Sequence, residues 1–403
     1  MLKRFVRIVS ICLLLVFLSS QLCFAQAAVG VSVYLDGTNI AQGFIENGRT
    51  LVPIRVLSEG MGYAVSWDGE AQMVTVEKEN VKNKLIIGSM QATTIEDGIE
   101  KEVLLDTAPC IMDSRTYVPL RYIAESLGSN VFWQGKDDGG GNAIVCTPIE
   151  ILLEGVSFST KTLTKTGTLE QFGAPYDTIA GADGVERLIY MRPETKTMLV
   201  FGFCEDKLFE FFTNDTDVKI AGVNVLQKNS AVEPAQTTNV FYDSLQDNLP
   251  VGLYINMAGK YYSPYQSMTN KDAVMQQEGK LAFYLTNALR RKAGVQDLVF
   301  SEALADVDKA HVASMAENGF FAHEGLDGSS IKERISTAPT FAKYKRAGEI
   351  LAKMPNAYYA CYGWLNSKSH RENMLSDAYV YTGICVDGNL NENLYYAQVL
   401  VKL

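Results

Sequence analysis

The sequence predicts a multidomain α+β protein: a small α+β module present twice, a β-rich middle region, and a C-terminal domain of helices followed by strands. Three observations carry this. A motif near residue 49 returns 66 residues later in the same register. Residues 151–266 are dense in aromatic and β-branched runs of strand length, and the last 130 residues open with helical periodicity and close on two strand-like runs. A chain of 403 residues is also too long for one ordinary core.

Composition excludes several classes. With 47% hydrophobic and 20% charged residues the chain is neither disordered nor fibrous. Its 36 basic and 46 acidic residues give a net charge of −10, so no nucleic-acid partner is expected. Lys3, Arg4 and Arg7 precede an apolar run from Ile8 to Leu18, and Ala25-Gln26-Ala27 has a small-x-small pattern. Residues 1–27 are therefore expected to be a secretory signal peptide. The run is shorter than the about 20 residues of a spanning helix, and no later run qualifies, so no transmembrane helix is expected after cleavage. Cys23 follows Leu22, where a lipid-attachment motif has a small residue.

Loss of the leader removes three positive charges from −10 and leaves −13. Residues 274–403 hold 14 basic and 14 acidic residues, so the negative charge lies in residues 28–273. Five cysteines remain: Cys110, Cys146, Cys204, Cys361 and Cys385. The odd number leaves a thiol unpaired in the monomer. Cys110/Cys146 and Cys361/Cys385 are the pairs to test, because each lies in one expected domain; buried apolar thiols are the alternative.

The repeat pairs Arg49-Thr50-Leu51-Val52-Pro53-Ile54-Arg55 with Arg115-Thr116-Tyr117-Val118-Pro119-Leu120-Arg121. The same shift carries Glu59, Gly62, Val65, Trp67 and Gly69 onto Glu125, Gly128, Val131, Trp133 and Gly135. Each copy (about 46–78 and 112–147) reads as a turn, a short strand, a helix opened by proline, a left-handed glycine cap and a strand that returns through a hairpin. The second hairpin is four residues longer and holds Asp138-Gly139-Gly140-Gly141-Asn142; no Gly-Lys-Ser/Thr follows, so it is a turn and not a phosphate loop. Residues 28–149 resemble the copper amine oxidase N-terminal-like domain, a stalk or surface module of secreted bacterial proteins. No amine oxidase activity is expected, because residues 28–310 contain no histidine to ligate copper.

Residues 151–266 offer a helix end at Leu169–Pro175 and strands near Arg187–Tyr190, Met198–Phe203 and Lys207–Phe212. Lys228–Asn239 reads as a long loop, and Tyr261–Asp272 as a linker. The region resembles the CAP-associated domain that precedes secreted CAP domains, and it has no constellation of ligands or nucleophiles.

In residues 274–403 a first helix is expected over about Met275–Lys292, ending near Gly294. A second starts at Ser301, presents Leu304, Val307, His311 and Met315 on one face, and stops at Asn318-Gly319. His311 therefore reads as a core histidine. A third opens at Pro355, carries Tyr358, Cys361 and Trp364, and ends near Asn366; Tyr381–Val386 and Leu394–Leu400 form a closing hairpin. Asn287, Arg290 and Gly294, then Ala310-His311 and Met315, Phe321-Ala322-His323, Gly348-Glu349 and His370-Arg371-x-Asn373-Met374-Leu375 follow in order. This order resembles the CAP superfamily of cysteine-rich secretory, antigen 5 and pathogenesis-related 1 proteins. The resemblance spans Gln277–Leu403 and implies an α-β-α sandwich.

It further implies a cleft of His323, Glu349 and His370, with Arg371, Asn373 and Gln398 as supporting positions. Two departures stand out: Ile350 occupies the position of the family's Asn, and Met354–Asn366 has no second acid, for which Glu324 or Glu372 would have to substitute. His323 and His370 are candidate ligands for a divalent cation such as zinc; a polar cleft without metal is the alternative. Cys361 lies on the helix face of Tyr358 and Trp364, where packing explains it better than nucleophilic chemistry. Two functions remain open. One is a secreted or cell-surface protein presenting a non-enzymatic module to a lipid, a cell-wall component or a protein. The other is an extracellular hydrolase, metal-assisted or not, working from the His/Glu cleft.

Overall fold

The computed structural model describes residues 30–135, 140–228, 237–259, 270–390 and 392–403. The expected signal peptide lies outside them, as do much of the Gly-rich hairpin loop, of the loop after Lys228 and of the linker after Tyr261.

The two repeats meet in one seven-stranded sheet. Its order is Asn130–Gly135, Gly141–Cys146, Gly30–Leu35, Thr38–Glu46, Arg49–Pro53, Arg115–Pro119, Cys110–Met112. Arg49–Pro53 and Arg115–Pro119 pair antiparallel, with Val52 opposite Val118, Tyr117 opposite Pro53 and Pro119 opposite Leu51. Equivalent positions thus face each other about the Val52–Val118 pair, the self-complementary pattern of a two-fold contact within one chain. Each strand ends at a proline that opens a helix, Ile54–Gly60 or Leu120–Ser126. Gly62 (φ 82°) and Gly128 (φ 92°) then take the left-handed conformation open to glycine. Beyond this point the copies differ. Ala64–Asp68 starts a separate five-stranded meander that ends at Ile99–Leu104, whereas Asn130–Gly135 stays in the first sheet. Trp67 and Trp133 are nonetheless equally exposed, at 41% and 44%.

The middle region is a six-stranded antiparallel sheet: Asp177–Ile179, Glu186–Arg192, Thr197–Cys204, Lys207–Thr213, Leu249–Asn256, Thr238–Asp243. Side chains alternate between two different cores. Leu188, Leu199, Phe201 and Phe211 pack on Phe158 and Phe172, under a small sheet and the helix Lys165–Phe172. Ile189, Val200, Phe212 and Tyr254 pack on the helices of the C-terminal domain. Burial on both faces explains why Met198–Phe203 is an unbroken apolar run and not an alternating one.

The C-terminal domain is a four-stranded sheet, ordered Val299–Phe300, Tyr381–Asp387, Leu394–Lys402, Arg346–Met354, between two helical layers. Ile350, Ile384 and Tyr396 face the helices Lys271–Lys292, Ala357–Asn366 and Lys368–Met374. Leu351 and Ala397 face Val312 and Met315, and Val399 faces Leu304 and Ile335. The long first helix has Asn270 as its N-cap, Asp272 in its first turn and Arg290, Arg291 and Lys292 in its last, charges that suit the helix dipole. The expected second helix is broken in two, Glu302–Val307 and Lys309–Asn318, with Asp308 at the break.

All five described cysteines are free, which corrects the two candidate pairs. Cys110 and Cys146 sit on strands separated by four others. Cys361 belongs to the core on one face of the C-terminal sheet, and Cys385 packs with the cluster on the other. Neither geometry permits a bond between atoms that must come within about 2 Å.

Candidate functional site

Glu349 is the centre of the site. It lies mid-strand in Arg346–Met354, opposite Val399, and so points toward the helical layer that holds Leu304 and Ile335. Its side chain is only 1% exposed, and both oxygens have partners. Oε1 accepts from His323 Nδ1 at 2.5 Å, and Oε2 accepts from Arg334 Nη2 at 2.5 Å.

Arg334 organises the rest. It projects from Ile331–Ser336, a short helix fixed by a capping box between Ser330 and Glu333. Its Nε donates to Asp308 Oδ1 at 2.7 Å, and its Nη1 to the carbonyls of His323 and Ser329 at 3.1 and 3.0 Å. One guanidinium therefore joins two carboxyl groups to the backbone of the loop that carries His323, a use of the planar fork that lysine could not copy.

Asp308 is fully buried, and its Oδ2 has no donor among the described residues. Burial, and then the neighbouring Glu349, push its carboxyl up to about 8. Burial alone would raise Glu349 as well, but hydrogen bonds from His323 and Asp308 and the Arg334 charge hold it below its ordinary value. Two carboxyls side by side with a single Arg between them favour sharing a proton, with Asp308 as the protonated partner. A proton on Oδ2 directed at Glu349 also gives that orphaned oxygen a bond.

His323 is 58% exposed; its hydrogen bond to Glu349 raises its pKa. His370, half-buried on Lys368–Met374, is lowered by burial first and by the His323 charge second. The structure thus brings His323 into contact with Glu349 and His370 within electrostatic reach of His323. Phe321 and Leu326, 50% and 66% exposed, flank His323 in its loop, and Phe321 leans on Tyr395. His311 is buried as expected, yet it also supports the site: its Nε2 pairs with Ala322 O at 2.9 Å, while its Nδ1 has no partner among the described residues.

The supporting positions lie outside the cleft. Arg371 turns to Asp243 of the middle sheet, Asn373 accepts from the Tyr379 hydroxyl, and Gln398 is buried on the opposite face from Glu349, bonded to Thr382. Ile350 packs in that same far core, which accounts for an apolar residue there. Glu324 and Glu372 are exposed, and the second carboxyl of the network is Asp308, buried behind Arg334. Asp308 and Arg334 are not singled out by any motif in the sequence. The signals available were an acid on the face that also carries Leu304, His311 and Met315, and the Ser330-x-x-Glu333 box that opens the helix containing Arg334.

Among the described residues no group of three or more His, Cys, Asp or Glu side chains is arranged to hold a metal ion. Both Glu349 oxygens are committed to His323 and Arg334, and Asp308 lies behind that guanidinium, so these carboxyls orient His323 and its loop.

Residues 34–138 match the family described as copper amine oxidase N-terminal domain, and residues 283–400 the cysteine-rich secretory protein family. Among curated proteins, the uncharacterized membrane protein YlbC of Bacillus subtilis is 33% identical over 119 residues, 29% of this chain and 32% of that protein. The chain therefore spans about a third of YlbC. The uncharacterized protein YkwD of the same organism is 25% identical over 204 residues, 50% of this chain and 75% of that protein. Among solved structures, an extracellular SCP-domain protein of Bacillus anthracis is 20% identical with a TM-score of 0.48, covering 60% of this chain and 93% of that one. A cysteine-rich secretory protein of Staphylococcus aureus is 13% identical with a TM-score of 0.46, covering 60% and 91%. No helix among the described residues is long and apolar enough to cross a membrane. The chain carries a copper amine oxidase N-terminal domain at its N-terminus and, at its C-terminus, a domain of the cysteine-rich secretory protein family.

Proposed function

We propose that this is an exported protein whose C-terminal domain is a non-catalytic binding module for an amphiphilic component of the cell envelope, a lipid with a polar head, carried on the N-terminal module as a stalk. The extracellular proteins among its structural neighbours and the leader-like first 27 residues support export. One observation carries the binding reading: His323 is 58% exposed and shares its loop with exposed Phe321 and Leu326, while the carboxyl beneath it is already paired with Arg334. Such a surface offers a hydrogen-bonding head site next to apolar contact. The Cys361 thiol is buried in the core on the other face of the sheet, and burial pushes it up to about 12.

Co-sedimentation of the mature chain with phosphatidylglycerol/phosphatidylethanolamine vesicles tests this. Binding should fall at least about tenfold when Phe321 and Leu326 are both changed to Ser, since each buries apolar area of roughly 1.5–3 kcal/mol. Release of lipid products, abolished by His370→Ala, would instead favour the hydrolase.

A further inference from the structure

The helix Lys368–Met374 that carries His370 has little to hold it in place by itself. It is seven residues long, has no side-chain cap at Ser367, and buries only Met374. So short a helix is marginal without outside support. Its C-terminal end is held from within the domain, where Arg290 Nη1 donates to the carbonyls of Met374 and Ser376 at 2.7 and 2.9 Å.

Its N-terminal end is held from the middle region. Arg371 Nη1 donates to Asp243 Oδ2 at 2.8 Å and to Leu365 O at 3.2 Å. Asp243 ends the strand Thr238–Asp243 and its side chain is 4% exposed, with Oδ1 accepting from the Leu245 amide. On either side of it, Tyr242 O accepts from Asn366 Nδ2 at 2.8 Å, and Ser244 N and Oγ donate to Asn366 Oδ1 at 2.6 and 2.7 Å. Residues 242–244 thus grip the junction 365–367 and the first turn beyond it. The anchor beneath is rigid: Phe241 stacks on Tyr362 at 4.2 Å with an interplanar angle of 2°, and the Tyr362 hydroxyl donates to Val251 O at 3.2 Å.

We propose that Asp243 is a positioning residue for His370: through Arg371 and the 365–367 junction, the middle sheet sets where the second imidazole of the cleft stands. The consequence for ligand rests on the binding reading above; the coupling itself does not. An ion pair this poorly hydrated holds its geometry firmly, and removal of one partner leaves the other charge unmatched.

The test uses the full mature chain without ligand, so its result is separate from that of the vesicle assay. Asp243→Asn removes the charge and keeps an oxygen for the Leu245 amide. Asp243→Arg combined with Arg371→Asp reverses the pair. Two signals are read at one pH: the His370 Cε1–H resonance, assigned by its loss in His370→Gln, and amide exchange over 367–374. In Asp243→Asn the resonance should move, and exchange over 367–374 should quicken about tenfold, while the His311 resonance and exchange over Tyr381–Asp387 stay unchanged. The reversed pair should return both signals toward the wild type. An unmoved His370 resonance overturns the proposal. So does quickened exchange spread evenly over the domain, or a reversed pair as disturbed as Asp243→Asn.

Discussion

Asp308 and His323 lie at opposite ends of one hydrogen-bonded chain, and their protonation sets how the chain responds to pH. Asp308 is raised, so folding takes up a proton there, and the stability this gives is present below its ordinary value near 3.8 and is lost as pH rises through about 8. Asp308→Asn should therefore gain on the wild type between pH 4 and pH 8. Asp308→Ala, which empties a buried site and leaves Arg334 Nε unmatched, should cost about 2 kcal/mol at pH 5, a cost that shrinks as pH rises toward 8 because Ala carries no titrating group. Urea unfolding of both variants at pH 5, 7 and 8.5 checks this; an Asn variant losing ground with rising pH would contradict the shared proton. His323 is raised by Glu349, so its contribution is full below about pH 6.5 and fades as pH rises through its folded value. The stability gap between wild type and His323→Gln should accordingly narrow from pH 5.5 to 8.5 in the same experiment. His323 and Glu349 were legible in the sequence because short motifs surround them. Asp308 was not, since a helical pattern with one odd acid looks the same whether that acid meets water or a buried guanidinium.

At the scale of elements, periodicity located the longer helices, three middle strands and the closing hairpin, but not the strand Arg346–Met354 that carries Glu349 or the short helices Ile331–Ser336 and Lys368–Met374, and these failures have local causes. The repeat made both proline-opened helices visible, but nothing in its ten shared positions indicated that the first copy's later strands would leave for a separate meander. The helix expected from Ser301 to Asn318 breaks at Asp308, whose side chain follows Arg334 and not the helical face. The helix Lys368–Met374 is held by tertiary partners at both ends, which no local pattern records. Arg290 is one of them, since its guanidinium serves the carbonyls of Gln296, Met374 and Ser376. Arg290→Lys cannot reach all three, and should lower stability by roughly 2–3 kcal/mol in thermal unfolding. Gly252 is a second such point: a Cβ there would lie 2.4 Å from the Tyr362 hydroxyl, so Gly252→Ala should cost about 1–3 kcal/mol by forcing that ring aside. A neutral result for either would mean that these junctions relax more freely than their geometry implies.

Across the whole molecule, the middle sheet and the C-terminal helices share one core, in which Phe212 and Tyr254 meet Tyr358, and Glu210 accepts hydroxyl hydrogens from both Tyr254 and Tyr358. The sequence suggested separate units because a linker-like stretch lies between them, and contacts across a chain's domains leave no periodic trace. A shared core requires joint unfolding. Calorimetry of residues 150–403 should give one transition for both regions, and residues 274–403 alone should lack it. The cleft stands on that joint scaffold, and the binding proposal has a ligand held there unaltered, against His323 and the apolar residues of its loop. Calorimetric titration of the mature chain with a short-chain phosphatidylglycerol, with and without chelator, followed by mass analysis of the lipid, tests this most directly. One saturable site is expected, indifferent to chelator and at least about tenfold weaker in His323→Ala, with the lipid recovered intact. Equal affinity in His323→Ala, or a cleaved lipid, would contradict it.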